Sequence, residues 1–152
     1  MVPLQQEIEF IRMYLQIQKI RFKNKLMYEF KINVKDSYKI MPLLIQPIVE
    51  NAFIHGTEMK LGESKIGISV YETNNFLIID VEDNGVGISS QRLSVLRQIL
   101  SKSQCGNSEN IGLKNIEQRI KLYYGDSYGI LIESEENVRT KVSLQLPKGG
   151  GI

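Results

Sequence analysis

The stretch Asp83-Asn84-Gly85-Val86-Gly87-Ile88 is the most informative part of this chain of 152 residues, and it directly follows the apolar run from Phe76 to Glu82. An acidic residue therefore ends a predicted strand, and two glycines open the loop after it. Because glycine has no side chain, a ligand or another segment can approach that backbone closely. Asp-Asn-Gly is also typical of a hairpin turn. The second glycine and the helical pattern that follows favour a binding loop.

A second polar motif, Glu50-Asn51-Ala52-Phe53-Ile54-His55-Gly56, lies on a predicted helix. A buried amide must find a partner or cost roughly 1–3 kcal/mol, and the amide oxygen of Asn51 suits a hard cation such as Mg²⁺. Glu50 can polarise a water or face solvent. His55 lies one turn after Asn51, so it can line a pocket together with Asn51. Its position can also simply reflect the preference of histidine for the C-terminal end of a helix. Since the Asp83 carboxylate can accept a hydrogen bond from the amine of adenine, the two motifs together predict a nucleotide pocket.

A third motif, Asn110-Ile111-Gly112-Leu113, opens the last predicted helix. The free N–H groups of a helix start bind anions, and Gly112 permits close approach. The preceding polar stretch, residues 101–110, is predicted to be a mobile loop, because it has almost nothing to bury. In that loop Lys102 is a candidate phosphate ligand, and Cys105 is interpreted as a free thiol.

Composition indicates one globular domain, since 42% of the residues are hydrophobic and 24% are charged. The formal charge of +2 is too small to indicate nucleic-acid or membrane binding. A single cysteine excludes an internal disulfide and fits a reducing compartment. No signal peptide or membrane-spanning run is visible, so we expect a cytoplasmic domain. Because a helical pattern is already running at residue 4, we also expect a fragment of a longer protein.

Periodicity predicts the helices and strands. Helices are expected over residues 4–20, 41–55, 89–100 and 113–123, and strands over residues 26–34, 65–72, 76–82, 128–134 and 138–146. Pro47 should kink the second helix or move its start later. The first helix has a second apolar stripe (Met13, Ile17 and Ile20), which calls for an upstream segment or a second protomer unless the helix lies deep in the core. The order of elements predicts a mixed, largely antiparallel sheet with helices on one face.

At these motifs the chain resembles the GHKL ATP-binding domains. Residues 44–56 resemble their asparagine box, residues 83–88 their first glycine box and residues 111–116 their second. The Gln-Pro-x-x-Glu-Asn-Ala form is most similar to the LytS/YesM-type sensor histidine kinases of bacteria, and residues 7–15 with Arg21-Phe22 resemble their linker motif. The resemblance covers nearly the whole chain.

The resemblance implies a Bergerat-type α/β sandwich that uses ATP and Mg²⁺. It implies that Asn51 coordinates the metal and that Asp83 binds the adenine amino group with support from Thr140. The predicted catalytic residues are Asn51 and, as the carboxylate that can polarise a water, Glu50. Residues 89–110 would be the ATP lid. The expected ATP contacts, in chain order, are Asn51, His55, Asp83, Gly85, Gly87, Ile88, Lys102, Gly112, Leu113 and Thr140.

The implied activity is transfer of the ATP γ-phosphoryl group to a histidine on a phosphoacceptor domain absent from this chain. Residues 1–24 would be the linker helix from that domain, residues 25–148 the ATP-binding domain and residues 149–152 a tail. The implied partners are that phosphoacceptor domain, a second copy in a full-length homodimer and, indirectly, a response regulator. The full-length protein would lie in the bacterial cell membrane.

Two departures from the family pattern leave alternatives open. Ile54 stands where relatives often carry lysine, and Asn110 replaces the first glycine of the second box. Because of these two departures, a degenerate nucleotide-binding module with a regulatory role is one alternative to a kinase domain. A gyrase- or chaperone-type ATP hydrolase is the other alternative, but that class places a glutamate one turn before the asparagine, and Pro47 occupies the position here.

Overall fold

Apolar residues at alternate positions build a five-stranded sheet in the computed structural model, which describes residues 1–23, 25–35, 37–58, 61–102 and 111–149. In order across the sheet, its strands are β2 (Leu26–Asn33), β4 (Ser64–Glu72), β5 (Phe76–Asp83), β7 (Arg139–Pro147) and β6 (Gly129–Glu135), and in this sheet only β2 and β4 pair in parallel. A separate antiparallel pair joins β1 (Val2–Pro3) to β3 (Lys39–Ile40). In chain order the elements are β1 (Val2–Pro3), α1 (Leu4–Arg21), β2 (Leu26–Asn33), β3 (Lys39–Ile40), α2 (Gln46–Ala52), a π-helical turn (Phe53–Glu58), β4 (Ser64–Glu72), β5 (Phe76–Asp83), α3 (Ser90–Ser101), α4 (Ile111–Tyr124), β6 (Gly129–Glu135) and β7 (Arg139–Pro147).

One face of the sheet packs against the helices, and the other carries charged side chains. On the helix side, Ile79 lies between Val70 of β4 and Leu144 of β7, and all three are completely buried. The opposite face carries ion pairs such as Lys141–Glu133, 3.2 Å apart. This two-layer arrangement confirms the predicted fold class, a mixed and mostly antiparallel sheet with helices on one face.

Helix α1 has one buried and one exposed apolar stripe. Ile8, Ile11 and other inner residues join the main core, while the outer stripe is exposed by 52% at Met13, 63% at Ile17 and 74% at Ile20. The alternative in which α1 lies deep in the core, with both stripes buried, is therefore wrong. That an upstream segment or a second protomer covers the outer stripe stays a prediction, as does a domain division after residue 24.

Helix α2 begins at Gln46 rather than at residue 41, as the position of Pro47 suggested. Proline lacks an N–H and is tolerated only in the first turn of a helix, where that group has no partner. Residues 42–45 form a turn instead, and Ile48, Val49 and Ala52 are buried as expected. Directly after α2 the chain continues as the π-helical turn, a distortion that is frequent at functional sites.

Helices α3 and α4 match their predicted positions. Ser89 caps α3 by accepting a hydrogen bond from the Arg92 N–H, and Gly125 follows α4 with a φ of +103°. The predicted mobile loop, including Cys105 and Asn110, lies almost entirely outside the described residues, as does most of the tail. Within the described ranges, no helix is both long enough and apolar enough to cross a membrane.

Candidate functional site

Two helices bring Asn51 and Gly112 together. Asn51 lies half-buried on α2, and its carboxamide Nδ2 is 3.9 Å from the position that a Cβ atom would take on Gly112. Gly112 is the second residue of α4, where backbone N–H groups lack partners within the helix. Its neighbour Leu113 is buried in the core and anchors this helix start. The Asn51 carboxamide and the start of α4 therefore lie side by side.

Asp83 lies at the end of β5 and is 6% exposed. Its Oδ1 atom accepts a hydrogen bond from the Gly85 N–H at 2.9 Å. A Cβ atom on Gly85 would lie only 2.3 Å from the Cα of Gly56, so no larger residue fits there without movement of backbone. The glycine that follows His55 thus packs against the loop after β5. The two motifs predicted to form one pocket are in direct contact.

Gly87 and Ile88 lie against the turn between β6 and β7. Gly87 has a φ of +65°, and a Cβ atom there would lie 2.1 Å from the Glu135 carbonyl oxygen. The Ile88 N–H donates to the Ser134 hydroxyl at 2.8 Å. The second glycine of the motif is therefore required by backbone packing, and its neighbour is held by a side chain that the sequence did not single out.

Thr140 lies directly opposite Asp83 in the pairing of β5 with β7. Its hydroxyl is 2.8 Å from Ser134 Oγ, which also donates to the Arg139 carbonyl. Because the single Ser134 proton is used in that bond, Thr140 is the donor to Ser134. Ser134 thus connects β7 with the loop carrying Ile88. No motif marked it, since a lone serine in a strand has no distinctive spacing.

The remaining candidates are less constrained. Glu50 is half-buried and accepts a hydrogen bond from the Gln46 side chain at 3.0 Å. His55 is exposed on the π-helical turn, and Ile54 beside it is 43% exposed. Lys102 is exposed directly after α3, and in the described part of the chain it forms no hydrogen bond or ion pair with the other candidates.

The available donors fit a magnesium ion that arrives with a nucleotide. Among the described residues, no group of three or more His, Cys, Asp or Glu side chains could enclose a metal ion. Mg²⁺ commonly binds through one or two protein oxygens together with phosphates and waters. The Asn51 carboxamide can supply one such oxygen beside the start of α4, whereas an ion held by the described protein side chains alone does not fit.

Comparison with known proteins identifies the family of the chain. Residues 38–150 match the family described as histidine kinase-, DNA gyrase B-, and HSP90-like ATPase. The chain belongs to this family. Residues 1–26 match a second family, described as histidine kinase.

Individual relatives confirm the predicted family and fold. Sensor protein LytS of Bacillus anthracis is 32% identical over 99% of this chain and 26% of its own length. Sensor histidine kinase BtsS of Escherichia coli is 33% identical over 96% of this chain and 24% of its own length. The chain thus spans about a quarter of these curated relatives. The solved catalytic domain of histidine kinase ThkA has the same fold, with a TM-score of 0.71 at 16% identity over 99% of this chain and 96% of that one.

Proposed function

We propose that this chain is the ATP-binding catalytic domain of a sensor histidine kinase. It binds ATP with Mg²⁺ and transfers the γ-phosphoryl group to a histidine on a separate domain. The observation that carries the proposal is the approach of the Asn51 carboxamide to Gly112 at the start of α4. Asn51 offers an amide oxygen as a ligand for a hard cation, and the first turn of α4 offers N–H groups that have no partner within the helix and suit phosphate.

We assign the binding of the adenine base to Asp83. Its carboxylate is buried and oriented by the Gly85 N–H, and a carboxylate has acceptor capacity for further hydrogen bonds. It accepts one from the exocyclic amine of adenine. Thr140, opposite Asp83 in the sheet, supports this side of the pocket. His55 and Lys102 are exposed and are assigned as nucleotide contacts.

The phosphate side of the pocket is assigned to Asn51 and the first turn of α4. Phosphoryl transfer needs mostly positioning and charge neutralisation, and a Mg²⁺ ion held by Asn51 would supply the neutralisation. The bond from the γ-phosphorus to the bridging oxygen breaks while a bond to the histidine nitrogen forms, and ADP leaves. Asn51 holds the metal, and the N–H groups of α4 orient the phosphates. Glu50 lies beside Asn51 for proton handling at this end.

The position one turn before Asn51 argues against a hydrolase. A water-activating glutamate would stand there, but the residue is Pro47 in the first turn of α2. Steady release of phosphate from ATP without any acceptor would favour the hydrolase, and ATP binding without transfer to an added phosphoacceptor domain would favour a regulatory module.

The partners belong to the proposal as well. They are the phosphoacceptor histidine domain, a second copy in a full-length homodimer and, indirectly, a response regulator. The full-length protein is placed in the bacterial cell membrane, with this domain on the cytoplasmic side.

The adenine contact is tested by Asp83→Asn. Asparagine keeps an oxygen for the Gly85 N–H but loses the charge, so ATP affinity should fall by about 1–3 kcal/mol. Calorimetric titration with Mg-ATP measures this change. Asp126→Asn, in an exposed turn, is the matched control and should bind like the wild type. Equal affinity in the Asp83 variant would remove Asp83 from the adenine site.

The metal contact is tested by Asn51→Ala, with Asn75→Ala in an exposed turn as its control. The expected result is loss of the gain in ATP affinity that Mg²⁺ provides, with the unfolding temperature little changed. A large drop in unfolding temperature with unchanged Mg-ATP affinity would make Asn51 a structural residue. Transfer of label from γ-labelled ATP to an added phosphoacceptor domain tests the kinase reaction itself.

A further inference from the structure

The turn that precedes α2 is held from both sides by charged residues of other helices. Glu7 on α1 is only 7% exposed. Its two carboxylate oxygens accept hydrogen bonds from the N–H groups of Leu43 and Ile45. On the other side, the Arg119 guanidinium of α4 donates to the carbonyl of Pro42 at 2.6 Å and to that of Leu43 at 3.0 Å.

Two of these four contacts hold a single peptide unit. The Pro42 carbonyl and the Leu43 N–H belong to the same planar amide, so Arg119 and Glu7 hold its two opposite ends. Leu43 has a φ of +58°, a left-handed conformation that is uncommon for leucine and persists only where its surroundings impose it. Leu44 and Ile45 of the same turn are completely buried, so the turn is anchored by packing as well.

The turn over residues 42–45 lies between the parts of the proposed active site. Gln46, the first residue of α2, follows it directly, and α2 carries Asn51. Arg119 lies on α4, the helix that begins beside Gly112. Arg119 therefore sets the position of α2 relative to α4, and Glu7 ties that pair to α1. A cleft of about 130 Å³ lies against the same turn and is lined by Glu7, Phe10, Leu43 and Gln46, among others.

We propose that Glu7 and Arg119 are positioning residues that hold the Asn51 carboxamide against the start of α4. Through Glu7, a displacement of α1 changes the binding of metal and phosphates at Asn51. Neither side chain needs to touch the nucleotide. This inference rests on the proposed function, because it assigns Asn51 to the metal.

The test measures ATP affinity of the 152-residue chain with Mg²⁺ and with a chelator, in the wild type and in Glu7→Gln. Glutamine can accept only one of the two N–H groups, and its amide nitrogen opposes the other. We expect the gain in affinity on adding Mg²⁺ to fall about three- to tenfold, within the range of coupling seen along such networks. Affinity with the chelator should stay the same, since it depends on Asp83. Glu9→Gln, exposed on the same helix, is the control and should behave as the wild type.

A second variant keeps the test decisive if Glu7→Gln folds poorly. Arg119→Lys keeps the charge but loses the two-pronged geometry that reaches both carbonyls, so the same selective loss is expected. Arg21→Lys, exposed at the end of α1 and outside the residues assigned to the nucleotide, is its control. In an Asn51→Ala background, neither substitution should reduce ATP affinity further, because both act through Asn51.

The outcomes separate the inference from the proposed function. If the wild type binds ATP without any dependence on Mg²⁺, the proposed function and the inference both fail. If the wild type shows that dependence and the variants keep it in full, only the inference is overturned. Equal losses with Mg²⁺ and with chelator would also overturn it, since they indicate a general loss of structure.

Discussion

Replacing Gly85 with alanine tests the contact that joins the two halves of the candidate site. A Cβ atom at this position would lie 2.3 Å from the Gly56 Cα and 2.7 Å from Asp83 Oδ1. The first neighbour is backbone, so a side-chain rotation cannot relieve the clash. The loop after β5 or the π-helical turn must move instead, and both carry residues assigned to the nucleotide.

The expected loss in the free energy of unfolding follows from overpacking. Forcing a methyl group into a filled site costs about 1–3 kcal/mol, and a backbone neighbour places this case at the upper end. For a domain of this size, each kcal/mol lowers the unfolding temperature by roughly 2–4 °C. We therefore expect a decrease of about 5–12 °C. Mg-ATP affinity should fall with it, because Asp83 is displaced from its bond to the Gly85 N–H.

Thermal unfolding and calorimetric titration give the two readouts, and Gly67→Ala provides the matched control. Gly67 lies in β4, and no atom of the described residues beyond its two chain neighbours comes within 4 Å of its Cβ position, so alanine there should be neutral or stabilise the fold by up to about 1 kcal/mol. If Gly85→Ala unfolds at the same temperature as Gly67→Ala, the described contact between the two motifs is wrong.

Two further predictions concern α1 and the open face of the sheet. Ile11→Ala should lower the free energy of unfolding by about 2–5 kcal/mol, because Ile11 is 1% exposed. Ile17→Ala, on the 63% exposed side of the same helix, should change it by less than about 0.5 kcal/mol; equal effects in urea denaturation would contradict the described orientation of α1. Burial and the neighbouring Asp80 charge raise the pKa of Tyr71 above its ordinary value of 10.0. The folded chain thus holds this proton more tightly than the unfolded chain, so the stabilisation is complete below about pH 10 and is lost as the pH rises through the raised pKa. The urea midpoint should fall at alkaline pH, and less steeply in Tyr71→Phe; equal slopes would exclude this contribution.

Local sequence was enough to predict most elements and the parts of the site. The alternation in β4 and β5 and the helical spacing in α3 and α4 are set by neighbours along the chain, and each appeared within a few residues of its expected bounds. The acid-glycine loop and the asparagine-bearing helix could be located because their residue types have chemical meaning wherever they occur.

Contacts between distant segments could not be predicted in this way. Ser134 holds Ile88 and Thr140, yet nothing near it in the sequence marks it. The two-residue strands β1 and β3 are too short to show any periodicity. The backbone of Leu43 forms hydrogen bonds with Glu7 of α1 and Arg119 of α4, and both residues lie far from it along the chain.

The order of residues along the chain was sufficient to predict the periodicity of most elements, the family and the residue types available for ATP. The tertiary structure alone decided that Gly56 lies against Gly85, that the Asn51 amide faces Gly112 and that α1 exposes its second stripe. The physical reason is that propensity and hydrophobic pattern act over a few residues. Close packing and the pairing of buried polar groups act across the folded core, between segments whose distance along the chain carries no information about their distance in space.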